Sequence, residues 1–207
     1  MRKAKRVLVV LAMNDEGNRK KLAGIFDYTR EHAPWDITLA EPQNATARAC
    51  NRSDGIITGA WPRRWRGLDD VPKVIMHTPD AHVARAAFVA CDNAAVARAA
   101  LDSFKTRGFT SFAYIHDAGR SRFSQDRAAA FGAPSWPCRE FGNLSDWLRA
   151  LPQHTAILAA DDSVARDAMV KCNALGIRVP NELAFIGVDN DELLCESCPT
   201  ALTSVEP

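Results

Sequence analysis

The sequence predicts an α/β protein of two lobes, each a parallel sheet flanked by helices. Three observations carry this. Short apolar runs alternate with segments whose apolar residues recur at helical spacing, the signature of βαβ units. The first and last of the long runs, Val7-Leu8-Val9-Val10-Leu11 and Leu183-Ala184-Phe185-Ile186-Gly187-Val188, are continuous, as in strands covered on both faces. The alternation also starts afresh near residue 92. That divides the 207-residue chain into a lobe over 1–91 and a second over 92–202, with 203–207 beginning a return crossover.

The elements follow in order. Val7–Met13 reads as a strand, and Gly17–His32 as a helix with Leu22, Ile25, Phe26 and Thr29 at helical spacing. Asp36–Glu41 is a short strand and Thr46–Asn51 a short helix. Asp54-Gly55-Ile56-Ile57-Thr58-Gly59 is a turn and a buried strand, Lys73–Thr78 a fourth strand and Phe88–Cys91 a brief fifth. In the second series Asp92-Asn93 opens a helix that Gly108 closes. Ser111–Ile115 is a strand, Ser121–Phe131 a helix, Cys138–Phe141 a strand and Leu144–Leu151 a helix. Thr155–Ala160 is a strand, Ser163–Leu175 a helix closed by Gly176, Leu183–Val188 a strand and Leu202–Val205 a last extended piece.

Bulk properties exclude several functions. At 47% hydrophobic and 25% charged, the composition is that of an ordinary globular protein. A net charge of +1 gives no broad footprint for nucleic acid, so any contact with DNA belongs to residues outside this chain. Arg2, Lys3, Lys5 and Arg6 ahead of an apolar run resemble the start of a secretory signal. Asn14-Asp15-Glu16 ends that run at once and no small-x-small site follows, so a buried strand and a cytoplasmic protein are expected. No run is long enough to span a membrane. Six scattered cysteines are expected as reduced thiols. Cys195-Glu196-Ser197-Cys198 lacks the second pair a zinc site wants and is followed by Pro199, so loop cysteines are expected there. Without ligand-like histidine pairs, a Gly-x-Gly-x-x-Gly loop or a Walker loop, no metal and no cofactor are expected.

In open α/β sheets ligands sit beyond the carboxyl ends of the strands. Those ends are polar here: Asn14-Asp15, His116-Asp117, Asp161-Asp162 and Asp189-Asn190-Asp191, with Arg122 and Arg127 on the helix after the second. Carboxylates and an arginine suit a polyhydroxylated ligand, since carboxylates accept from hydroxyls and guanidinium donates a fork to vicinal oxygens. Phe123 or a tryptophan would cover the apolar face of a sugar ring. Paired carboxylates also serve glycosidases, but that chemistry needs one of them desolvated beside a scissile bond, and no catalytic residue is assigned. Packing accounts for other residues. Asp162 and Asp92 read as helix caps, Arg122 as solvated, and Asn190 and Asp191 as turn residues. Trp35, Trp136 and Trp147 read as packing, while Trp61 stays open. For Asp161, Asp189 and Arg127 composition leaves ligand and structural roles both open.

Four segments bear a family resemblance. Val179-Pro180-Asn181-Glu182-Leu183-Ala184-Phe185-Ile186-Gly187-Val188-Asp189-Asn190 resembles the "VP-x-dis-vvG-x-D-d" segment of LacI/GalR-type regulators. Leu202-Thr203-Ser204-Val205-Glu206-Pro207 is similar to their "LTTV-x-q", Ala159-Ala160-Asp161-Asp162-Ser163-Val164-Ala165 to "a-x-n-D-x-x-A", and Arg127-Ala128-Ala129-Ala130-Phe131 to "R-x-x-G-f". Val89-Ala90-Cys91-Asp92-Asn93, Asp146-Trp147-Leu148-Arg149-Ala150-Leu151-Pro152 and Ile186–Leu193 resemble the xylose-responsive subgroup. The resemblance implies a periplasmic-binding-protein-like fold of type I with a sugar in the cleft between lobes. It implies Asp189, Asp161 and Arg127 as ligand contacts, Phe123 at an aromatic position of the subgroup, and Asn14 from the other lobe. It further implies a homodimeric regulator that meets DNA through an AraC-type domain beyond residue 207. A sugar-binding transport protein of the same fold is the alternative. The segment between Arg127 and Asn143 is shorter than in the subgroup, which bears on the shape of the second lobe.

Overall fold

The computed structural model describes residues 4–13, 16–32, 34–65, 68, 70–77, 83–137 and 139–207. They form an α/β chain that divides into two compact units, Met1–Cys91 and Asp92–Pro207.

The first unit is a parallel sheet of five strands: β1 (Lys5–Val10), β2 (Trp35–Ala40), β3 (Gly55–Thr58), β4 (Lys73–Ile75) and β5 (Ala86–Phe88), in the order β2-β1-β3-β4-β5. Val7, Val9 and Leu11 face one way, toward Leu22 and Ile25 of α1 (Glu16–Glu31). Leu8 and Val10 face the other way, among Ile56, Trp65 and Leu68, beside Cys50 of α2 (Ala47–Asn51). A strand covered on both faces has no polar side to show, which is why the run is continuously apolar.

The second unit repeats the topology. Its strands are β6 (Ser111–Ile115), β7 (Ser135–Trp136), β8 (Thr155–Ala159), β9 (Leu183–Val188) and β10 (Thr203–Val205), all parallel, in the order β10-β9-β8-β6-β7. Read from β7, this is the same winding as in the first unit. In both, the strand order reverses beside the first strand, so the second unit's switch point lies between β6 and β8. Helices α3 (Asn93–Thr106), α4 (Arg122–Phe131), α5 (Leu144–Ala150), α6 (Asp162–Ala174) and α7 (Glu192–Glu196) connect the strands.

Two buried clusters line this sheet. On one face Val96, Ala97, Ala100 and Phe104 of α3 meet Tyr114, Leu158 and Ile186. On the other, Ala165, Ala168, Met169 and Cys172 of α6 meet Ile157 and Phe185, with Trp147 from α5. Small residues at i, i+3 and i+7 let α6 lie close to the sheet. Trp136 and Trp147 pack at 6.0 Å between ring centres and Trp35 is half-buried against Tyr28, so all three serve packing as expected. Trp61 meets Trp65 edge-on, and the Lys73 ammonium lies over its ring.

Three expectations need correction. The strand placed at Cys138–Phe141 is instead β7, three residues earlier; Cys138 lies outside the described residues. Gly132, left-handed at φ 70°, ends α4 and turns the chain straight into β7. Asp191 is the N-cap of α7, its side chain accepting from the Leu194 amide at 3.1 Å, so a helix stands where a turn was expected. Cys195 accordingly lies within α7, and Cys198 is buried beyond its end.

Candidate functional site

Three adjacent strands of the second unit carry the candidate residues. The ladder runs one residue past each strand: Ala160 N–H donates to Ile115, His116 N–H to Trp136 and Asp189 N–H to Val205, at 2.8, 2.8 and 3.0 Å. Ile115 pairs Ala159 and Leu158 pairs Ile186. Counted on past the strand ends, that register puts Asp117, Asp161 and Asp189 at matching positions beyond neighbouring strands. The carboxylates thus share one carboxyl-end rim that includes the switch point.

Arg127 comes to the same rim from α4. It is only 4% exposed. Its Nε donates to Asn93 Oδ1 at 2.9 Å and its Nη1 to the Ala160 carbonyl, while its guanidinium lies 4.9 Å from the centre of the Phe123 ring. Both acceptors are neutral, and among the described residues Arg127 has no ion pair. A buried cation held by neutral partners, stacked on a 37%-exposed aromatic ring, is an uncommon arrangement. Its fork is oriented before any ligand arrives.

The carboxylates are partly committed. Asp161 is the N-cap of α6: its Oδ1 accepts from the Val164 amide and the Ser163 hydroxyl, each at 2.8 Å. Asp162, expected to be that cap, is instead the first helical residue and is buried. Asp92 does cap α3, through the Ala95 amide at 2.8 Å. Asp117 accepts from the Ser121 amide at 2.9 Å and steadies the entry to α4. Asp189 and Asn190 are left-handed, at φ 104° and 51°. Arg122 pairs with Asp126 on the exposed face of α4 at 2.8 Å, away from this role. Asn14 lies outside the described residues.

Beneath the rim is a polar relay not foreseen as one. His116 is buried; its Nδ1 is 3.0 Å from Ser124 Oγ, which is 3.1 Å from the Tyr114 hydroxyl. Arg120 can only donate, so at 3.5 Å it directs His116 Nε2 to accept and leaves the proton on Nδ1. Burial, and then Arg120, push the His116 pKa down, and burial pushes the Tyr114 hydroxyl up to about 12. Both are neutral at pH 7. The available signal was His116 at a strand end, eight residues before a serine in the next helix.

Among the described residues no group of three or more His, Cys, Asp or Glu side chains is arranged for a metal. Burial pushes Cys195 up to about 12 and raises Cys198 as well, so neither sulfur is a thiolate at neutral pH. No helix among the described residues is long and apolar enough to cross a membrane. A cavity of about 540 Å³, lined by Phe104, Phe109, Met169, Val179 and Phe185, opens toward the start of β9. It contains none of the candidate residues, whose charged and polar groups converge on the rim instead.

Residues 101–207, just over half the chain, match the periplasmic binding protein-like domain family. The chain is 28% identical over 233 aligned positions to the xylose operon regulatory protein of Escherichia coli K12, covering 98% of this chain and 59% of that protein. It is 31% identical over 140 positions to the protein of the same name from Haemophilus influenzae, covering 58% of this chain and 36% of the other. It is similar in structure to the xylose-binding transcription activator xylR, with a TM-score of 0.80 at 26% identity, covering 98% of this chain and 59% of that one. The chain therefore spans about three-fifths of the length of the E. coli relative it matches.

Proposed function

Because the chain belongs to the periplasmic binding protein-like domain family, we propose that it is the sugar-sensing domain of a bacterial transcription regulator, with xylose or a similar pentose as effector. The observation that carries the reading is Arg127: a buried guanidinium at the strand ends, fixed by neutral acceptors and backed by a half-exposed ring. It would donate its remaining N–H groups to vicinal sugar oxygens. Asp161 and Asp189 would accept from hydroxyls on either side, and Phe123 would cover the apolar face of the ring. Asn14 is proposed as a further contact. The named relatives are regulators, which favours sensing over transport.

In this reading the protein is a binder and performs no reaction. Pentose would act by preferring one state of the regulator over another. The regulator would meet DNA through a domain outside these residues, as a homodimer in the cytoplasm.

Calorimetry with a panel of monosaccharides tests the proposal. D-xylose or a near relative should give saturable heat. Arg127→Lys keeps the charge but loses the planar fork, and should weaken binding tenfold or more, about 1.4 kcal/mol. A folded chain that gives only dilution heat with every pentose overturns the pentose reading.

A further inference from the structure

We propose that Asp162 and Ser204 are positioning residues for the ligand, holding the Asp189-Asn190 turn in the conformation that sets Asp189 on the rim. The proposal rests on reading Asp189 as a ligand contact.

Asp162 is 1% exposed, and carboxylates are rarely so buried without partners. It commits both oxygens to other segments. Oδ1 accepts from the Ser204 hydroxyl of β10 at 2.6 Å. Oδ2 accepts from the Asp191 amide at 2.8 Å and lies 3.7 Å from the Cys195 sulfur. The Ser204 hydroxyl in turn accepts from the Asn190 amide at 3.0 Å. The amides of Asn190 and Asp191 therefore both end on one carboxylate, the first through a single hydroxyl. The Asp189 amide is held by the carbonyl of Val205, the residue after Ser204. Three successive amides are fixed.

The turn needs this. Asp189 at φ 104° and Asn190 at φ 51° are in conformations that residues with a Cβ seldom adopt and that persist where the surroundings over-determine them. β9 makes room for the clamp: a Cβ on Gly187, two residues before the turn, would overlap the Asp162 carboxylate. Nor is Asp162 there to cap α6, because Asp161 already does so. A buried carboxylate, a glycine notch beside it and two left-handed residues just beyond converge on one task, which is to hold the end of β9. The task matters most for the side chain on that end, Asp189.

The test compares chains of residues 1–207 carrying Ser204→Ala, Ser204→Thr and Asp162→Asn. Two quantities are read: amide hydrogen exchange at Asn190 and Asp191, and the Kd for D-xylose by calorimetry. Ser204→Ala and Asp162→Asn should speed exchange at both amides tenfold or more while the β8 core amides stay protected. They should weaken D-xylose binding tenfold or more, and Ser204→Thr, which keeps the hydroxyl, should behave as the parent chain does. Unchanged exchange in folded Ser204→Ala overturns the clamp. Faster exchange with an unchanged Kd overturns its role in binding. A parent chain silent to every monosaccharide overturns that role together with the pentose reading; the exchange arm, which needs no sugar, still decides whether the clamp holds the turn.

Discussion

At the scale of single residues, the site is set by what its ionisable groups are denied. His116 is denied water and faces the Arg120 guanidinium, so its folded pKa lies below its ordinary 6.5. The unfolded chain therefore binds a proton first as pH falls. The histidine's contribution is complete above 6.5 and is lost as pH drops through the folded value, at no more than about 1.4 kcal/mol per pH unit. Thermal melts at pH 7.5 and 5.5 should show a smaller acid-induced fall in Tm for His116→Gln than for the parent chain; equal falls would remove His116 as the cause. Little of this relay was legible beforehand. Arg127 stood out because a motif surrounds it, and Asp161 and Asp189 because they end apolar runs. Whether a given carboxylate is a cap, a clamp or a ligand contact depends on which amides the fold brings to it. The cap expected at Asp162 fell to Asp161 for that reason: the α6 helix begins one residue earlier than Ser163, and the side chain at N1 turns inward to the notch at Gly187.

At the scale of elements, the strand ends on one sheet coincide with the helix starts that follow them, so a rim residue can serve both. Asp161 is such a residue, an observed cap and a proposed ligand contact, and the two roles can be separated. Asn caps a helix about as well as Asp, whereas Ala forfeits roughly 1 kcal/mol. Asp161→Ala should therefore lose about 1 kcal/mol in urea unfolding while Asp161→Asn stays near the parent chain. Both should weaken pentose binding, because neither retains the carboxylate. An Asp161→Asn chain that binds as the parent does would leave Asp161 as a cap alone. The elements that sequence periodicity resolved are the long ones with continuous apolar runs or clear stops: Ser111–Ile115 and Leu183–Val188 stand as expected, and α3 and α6 fall within a residue or two of their expected ends. The ones it missed are short. β7 has two residues and α7 five, too few for a period to show, and both owe their place to neighbours: β7 to the ladder from Tyr114 and Ile115, α7 to the Asp191 cap.

At the scale of the whole molecule, the repeated winding has an energetic counterpart. Among the described residues, each of four buried clusters lies inside one unit: two flank the first sheet and two the second. A segment that holds both faces of its own sheet meets the condition for folding alone. Every candidate residue with described structure — Phe123, Arg127, Asp161, Asp189 and the Asp162–Ser204 pair — also belongs to the second unit. What the chain's pattern left open was the identity of the proposed sugar, since pentoses differ by the orientation of single hydroxyls and one hydrogen bond carries only about 1 kcal/mol net. The autonomy of the unit, by contrast, follows from the placement of its core. Residues 92–207 expressed alone should melt in one cooperative step. At roughly 0.7 kcal/mol per residue near 60 °C, the calorimetric enthalpy should be on the order of 80 kcal/mol and agree with the van't Hoff value. A broad melt without an enthalpy peak would mean that the second core needs the first. The same fragment should retain the slow exchange of the Asn190 and Asp191 amides, because every partner of the clamp lies within it.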